Sequence, residues 1–90
     1  MSERQTMRLD KWLWHARIYK TRTLAAQMVS RGKVRVNAGL TKKPAVCIGA
    51  GDVLTLVQGR AVRVLRVTGL PARRGPAQEA SAHYDDVTAQ

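Results

Sequence analysis

Acidic side chains are scarce in this chain. Six Asp and Glu stand against sixteen Lys and Arg in 90 residues, a formal charge of +10 at pH 7. Cysteine occurs once, histidine twice, and no apolar run is long enough to span a bilayer. Each shortage excludes something. A single cysteine rules out an internal disulfide framework and a cysteine-cluster zinc site. Cys47 lies between Val46 and Ile48, a setting that reads as a small buried hydrophobe. His15 and His83 are far apart, and the body of the chain holds only two acids, Asp10 and Asp52. They assemble no Ser/His/Asp set, and no P-loop is present. The run "GAGDVL" lacks the full dinucleotide fingerprint and reads as a tight turn into a strand, with Asp52 stabilising the turn. The expectation is therefore a binding protein without cofactor, metal or catalysis. The start "MSERQTMRLD" has no apolar stretch of the secretory kind, and together with the single thiol this points to the reducing cytoplasm.

The positive charge is unevenly placed. Residues 8–74 hold fifteen Lys and Arg against Asp10 and Asp52, a balance of +13, whereas residues 75–90 hold Glu79, Asp85 and Asp86 and no Lys or Arg. A basic body with an acidic tail suits a polyanionic partner. Nucleic acid is the usual one, an anionic membrane surface competes, and a merely soluble basic protein is the plain alternative.

Ninety residues make one domain with a shallow core. In "RLDKWLWHARIY", Leu9, Trp12, Leu13 and Ala16 recur at i, i+3, i+4 and i+7, within about 100° of a helical wheel. Arg8, Lys11 and His15 lie opposite, where His15 is a polar-face residue within reach of phosphate. Trp12 belongs to the core stripe. Trp14 lies about 140° from Leu9 on that wheel, beside Asp10, and is left either to pack under a flanking segment or to stack on an RNA base. A second helix follows: Thr21 is its N-cap, Leu24, Ala25, Met28 and Val29 its apolar side, Arg31 its last turn, and Gly32 its left-handed terminator. "KVRVN" alternates, with Val34 and Val36 on one face and Lys33, Arg35 and Asn37 on the other. Asn37-Ala38-Gly39 supplies a turn, and Pro44 disfavours a central strand nearby. "GDVLTLV" and "GRAVRVLRV" read as two further strands around a Gln58-Gly59 turn, while Arg60, Arg63 and Arg66 recur every three residues and share no single strand face.

The binding candidates gather in one stretch. Arg17, Lys20 and Arg22 flank the start of the second helix, whose unpaired N–H groups and positive dipole end suit phosphate. Lys33 and Arg35 continue the cationic face. Thr21, Thr23, Gln27 and Asn37 add neutral hydrogen-bonding groups of the kind that read folded RNA.

Taken together, "RLDKWLWHAR", "KTRTLAAQMVSRGKVRVN", the turn after it, "KP" and "GDVLTL" resemble an S4 RNA-binding domain, the αL motif, over about Arg8 to Val67. The pattern "RLDKWLW", Ala16-Arg17 and "KTR" is similar to that of the small ribosome-associated heat-shock proteins of that family, the fifteen-kilodalton type. The resemblance implies an α+β fold in which two N-terminal helices pack on a small curved antiparallel sheet, with a short C-terminal tail. Residues 1–7 would be a flexible N-terminus, 8–67 the S4 domain, and 68–90 a tail that is partly disordered or a short helix. The implied RNA surface comprises Arg8, Lys11, Arg17, Lys20, Thr21, Arg22, Gln27, Arg31, Lys33, Arg35, Asn37, Lys42 and Lys43. The implied partner is structured ribosomal RNA of the large subunit, on stalled subunits that carry peptidyl-tRNA, in a heat-stress or recycling role; apart from the resemblance, a monomer is expected. Charge alone does not separate RNA from DNA binding; the preference comes from the resemblance. The residues also leave open an accessory basic subunit that docks an acidic protein or an RNA-modifying enzyme. The chain departs from the longer family members, whose C-terminal region is extended and basic, because its own tail is brief and acidic.

Overall fold

In the computed structural model, which describes residues 5–37 and 39–88, the stripe Leu9, Trp12, Leu13 and Ala16 is the buried side of the first helix, α1 (Leu9–His15). The indole of Trp12 is fully enclosed, and its Nε1–H donates to Gly69 O at 2.9 Å. The second helix, α2 (Arg22–Ser30), starts where Thr21 Oγ1 accepts the N–H of Leu24 at 2.9 Å. It turns Ala25 and Val29 into the core, with Leu24 and Met28 packed at the margin.

The two helices end by the same device. After α2, Gly32 N–H donates to Val29 O and Lys33 N–H to Met28 O, with Gly32 at φ +75. After α1, Arg17 N–H donates to Trp14 O and Ile18 N–H to Leu13 O, with Arg17 at φ +60. Both are Schellman closures, which need a left-handed residue. At α2 a glycine supplies it. At α1 an arginine does, and the helix therefore stops short of "RIY".

The strands are β1 (Met7–Arg8), β2 (Val34–Val36), β3 (Gly39–Leu40), β4 (Cys47–Ile48), β5 (Val53–Gln58), β6 (Ala61–Val67) and β7 (Tyr84–Asp86). Five of them form an antiparallel sheet in the order β3-β2-β5-β6-β7, and β1 pairs with β4 in a separate ribbon. Pairing of Val34 with Leu56 and of Leu54 with Leu65 puts all four on the face that covers the helices. The α+β arrangement of two helices on a small antiparallel sheet is thus present.

Cys47 is exposed, contrary to the buried reading. The β1–β4 ribbon alternates its faces, and because Ile48 points into the core Cys47 points out. Of the N-terminal stretch 1–7, residues 1–4 lie outside the described residues, and Met7 pairs with Ile48. Ala38 of the expected turn also lies outside them. The tail 68–88 carries a short helix, α3 (Ala77–Ala80), a single 3₁₀ turn (Ser81–His83) and then β7, which extends the sheet through Val67↔Tyr84 and Arg66↔Asp85. No helix among the described residues is long and apolar enough to cross a membrane.

Candidate nucleic-acid interface

Asp10 organises the basic end of α1. It is 3% exposed, yet it lies beneath two exposed arginines. Arg8 grips it with two nitrogens, Nε to Oδ1 at 3.1 Å and Nη2 to Oδ2 at 3.0 Å. Arg22 Nε lies 3.6 Å from Oδ2, and the N–H of Lys11 donates to Oδ1 at 2.8 Å. One buried carboxylate therefore draws together a guanidinium from the strand–helix junction and one from the first turn of α2. Because the pair carries two positive charges against one negative, it stays attractive to phosphate. Arg8, Lys11 and Arg22 line an open groove of about 400 Å³ whose other wall is Leu70, Pro71 and Ala72. Lys20, Thr21 and Thr23 are exposed around the start of α2, so the groove opens beside a helix N-terminus.

A second basic cluster lies at the far end of α2. Lys33 and Arg35 line a shallow groove on the outer sheet face together with Thr55 and Val62. The ends of Lys42 and Leu40 lie close over Gly32: a Cβ added there would sit 3.6 Å from Lys42 Cε. Arg31 is exposed at the end of α2, as are Gln27 on its surface and Lys43 beyond β3.

Three of the polar residues singled out in the sequence make contacts within the protein. Asn37 is committed to the scaffold: its amide donates to Asp52 Oδ1 at 3.0 Å, its Oδ1 accepts Val53 N–H at 2.8 Å, and its backbone is left-handed at φ 52. His15 is 5% exposed, with Nδ1 on Pro71 O at 3.1 Å, so it packs against the tail and is withdrawn from any phosphate. Arg17 is exposed but aims at the tail, where Nε donates to Gly75 O at 2.6 Å. Asp52 does hold its turn, through Gly49 N–H to Oδ2 at 2.9 Å.

Two residues were not legible. Asp10 organises its arginines through Arg8, which precedes the helix and so has no meaningful place on a helical wheel. Arg74 sits in a Pro- and Gly-containing stretch without periodicity, yet its Nη1 donates to Trp14 O and Tyr19 O and its Cζ lies 5.8 Å from the centroid of the Trp14 ring. Trp14, half-buried, is thus covered by the tail, the packing alternative of its two sequence readings.

With this geometry in place, the S4 domain family model matches residues 7–54. Heat shock protein 15 of Escherichia coli (strain K12) is 45% identical over 81 residues, 90% of this chain and 60% of the relative. The RQC P-site tRNA stabilizing factor of Listeria innocua is 37% identical over 65 residues, 72% of this chain and 70% of the relative. A solved structure described as trimeric Vibrio cholerae Heat Shock Protein 15 is 40% identical and aligns with a TM-score of 0.87, covering 92% of this chain and 83% of that one. This chain spans about 60% of the length of the Escherichia coli relative. A family match over more than half of the residues, on a fold shared with that solved structure, makes this chain a member of the S4 domain family.

Proposed function

We propose that the chain binds structured ribosomal RNA of the large ribosomal subunit, on subunits that still hold a tRNA in the P site, and serves in ribosome rescue or recycling under heat stress. It does so by binding in the cytoplasm, without catalysing a reaction. The observation that carries this reading is the Arg8–Asp10–Arg22 cluster beside Lys11 at the start of α2, where a buried carboxylate holds the Arg8 guanidinium by two hydrogen bonds and draws that of Arg22 to 3.6 Å. Guanidiniums gathered in this way suit phosphate, because less rotamer freedom is lost on contact. The names of the relatives, a heat-shock protein and a factor that stabilises P-site tRNA, support the site of action on the ribosome. The net charge of +10 supports an RNA partner of high phosphate density.

The test is co-sedimentation with separated ribosomal subunits in a sucrose gradient, with and without peptidyl-tRNA. The chain is expected in the large-subunit peak, and more of it when peptidyl-tRNA is present. Its absence from that peak in both arms would sink the ribosomal reading and leave general RNA binding. Recovery with an acidic protein after nuclease treatment would instead favour the accessory-subunit role.

A further inference from the structure

Arg17 occupies a backbone position where glycine fits without strain. The matching position after α2 is Gly32, held by the same pair of hydrogen bonds. An arginine at φ +60 is strained, and such residues persist where the side chain has a use. Its Nε is fixed on Gly75 O, which leaves its two terminal nitrogens without a partner among the described residues. Arg74, the neighbour of Gly75, is fixed in turn through Nη1 on Trp14 O and Tyr19 O, and leaves Nε and Nη2 free in the same sense. Two guanidiniums therefore flank one short stretch of chain, each tethered by a single nitrogen.

Neither has an acidic partner among the described residues. The ion pairs among the described residues are Arg8 and Arg22 with Asp10, Arg63 with Asp86, and Arg73 with Glu79. Glu79, the acid of this segment, is thus taken by Arg73. Burial, and then the charge of Arg17, lower the pKa of Arg74, so the two cations feel each other. Like charges tethered on adjoining residues, Arg17 to Gly75 O and Arg74 to Trp14 O, with terminal nitrogens left over, suit a shared anion. A cation at the C-terminal end of α1 also suits the helix dipole, but that role needs one arginine and leaves the strained one unexplained.

We propose that Arg17 and Arg74 form a second phosphate-binding pole for the RNA backbone, at the opposite end of α1 from Arg8 and Arg22. Arg74 lies outside residues 7–54, which match the S4 domain, so the tail adds to the RNA surface. The inference rests on the RNA-binding reading and extends its footprint.

The experiment measures binding of purified, deproteinised large-subunit rRNA across a salt series, for the wild type and for R17G, R74Q, R74K and R22Q, with thermal melts on every variant. A lost phosphate contact reduces the slope of log K against log[salt] by about 0.7–0.9. R17G and R74Q are each expected to show that reduction, and R74K to keep the wild-type slope because the charge remains. A purely structural Arg74 would lower the melting temperature and leave the slope unchanged, which overturns the proposal. R17G suits the left-handed backbone, so it decides the matter if R74Q does not fold. Loss of affinity in R22Q with unchanged slopes in R17G and R74Q would overturn this pole alone. Unchanged binding and slopes in all of them would overturn the site assignment at both ends of α1, whereas no binding of the rRNA by the wild type would overturn the RNA reading itself.

Discussion

Asp10 is an acid inside the surface proposed for an acidic partner, and its value lies in what it does to its neighbours. Counted as charge, it should weaken RNA binding, and D10N should tighten it. Taken as geometry, it holds Arg8 through two hydrogen bonds and draws in Arg22, so its loss frees two long side chains that must then be reordered on binding. We expect the second effect to win. D10N should weaken binding to rRNA about 3- to 10-fold, on the order of 1 kcal/mol, although the protein loses a negative charge. The effect should shrink when Arg22 is already Ala, because coupled residues are non-additive. Tighter binding by D10N would show that Asp10 is only a repulsive charge. At this scale the sequence was legible where a role is local: the N-cap of Thr21 and the turn carboxylate of Asp52 follow from near neighbours. His15, Arg17 and Arg74 were not legible in this way, since their partners lie 55 to 60 residues away in the chain.

At the scale of elements, β7 depends on a cluster that titrates. Asp86 accepts from the Thr88 hydroxyl and backbone N–H, and from Arg63 Nη2 at 3.0 Å. The Thr88 hydroxyl first, then its N–H and Arg63, hold the Asp86 carboxyl down to about 2 from its ordinary 3.8. A depressed carboxyl stabilises the folded form above its unfolded value and loses that contribution as pH falls through its folded value. The docking of β7 should therefore be intact above about pH 4 and loosen between 3.8 and 2. Protection of the Thr88 amide, taken relative to its intrinsic exchange rate at each pH, should fall over that window in the wild type, whereas D86N should show low protection already at neutral pH. Wild-type protection at Thr88 that is flat from pH 5 to 2 would count against the cluster. The two helices were legible because a 3.6-residue period repeats within each of them. Tyr84–Asp86 is three residues with two acids, which carry no such signal, and it becomes a strand only by pairing with β6.

At the scale of the molecule, the tail decides how large the folding unit is. The match to the S4 domain model ends at residue 54, and the resemblance read from the sequence ends at about Val67. Yet Gly69 O accepts the Trp12 indole N–H, Tyr84 meets the Trp12 ring edge-on at 6.1 Å, Pro71 O holds His15, and Leu70 and Tyr84 pack on the core. The acidic end of the tail also lies on the β6 edge of the sheet, with Asp85 opposite Arg66. Charge is thereby segregated, and the cations of α1, α2 and β2 are left to the proposed RNA surface. If about five of them meet phosphates, affinity should fall on the order of 10²-fold between 50 and 200 mM salt. A chain cut after Val67 loses every tail contact around Trp12, a side chain whose own truncation costs about 3–5 kcal/mol when fully buried. Domains of this size have about 5–15 kcal/mol in all. Residues 1–67 alone should therefore show no cooperative thermal transition, and their tryptophan emission should be that of a solvated indole. A cooperative melt within a few degrees of the full chain would instead end the folding unit at Val67 and leave the tail as a covering that α1 does without.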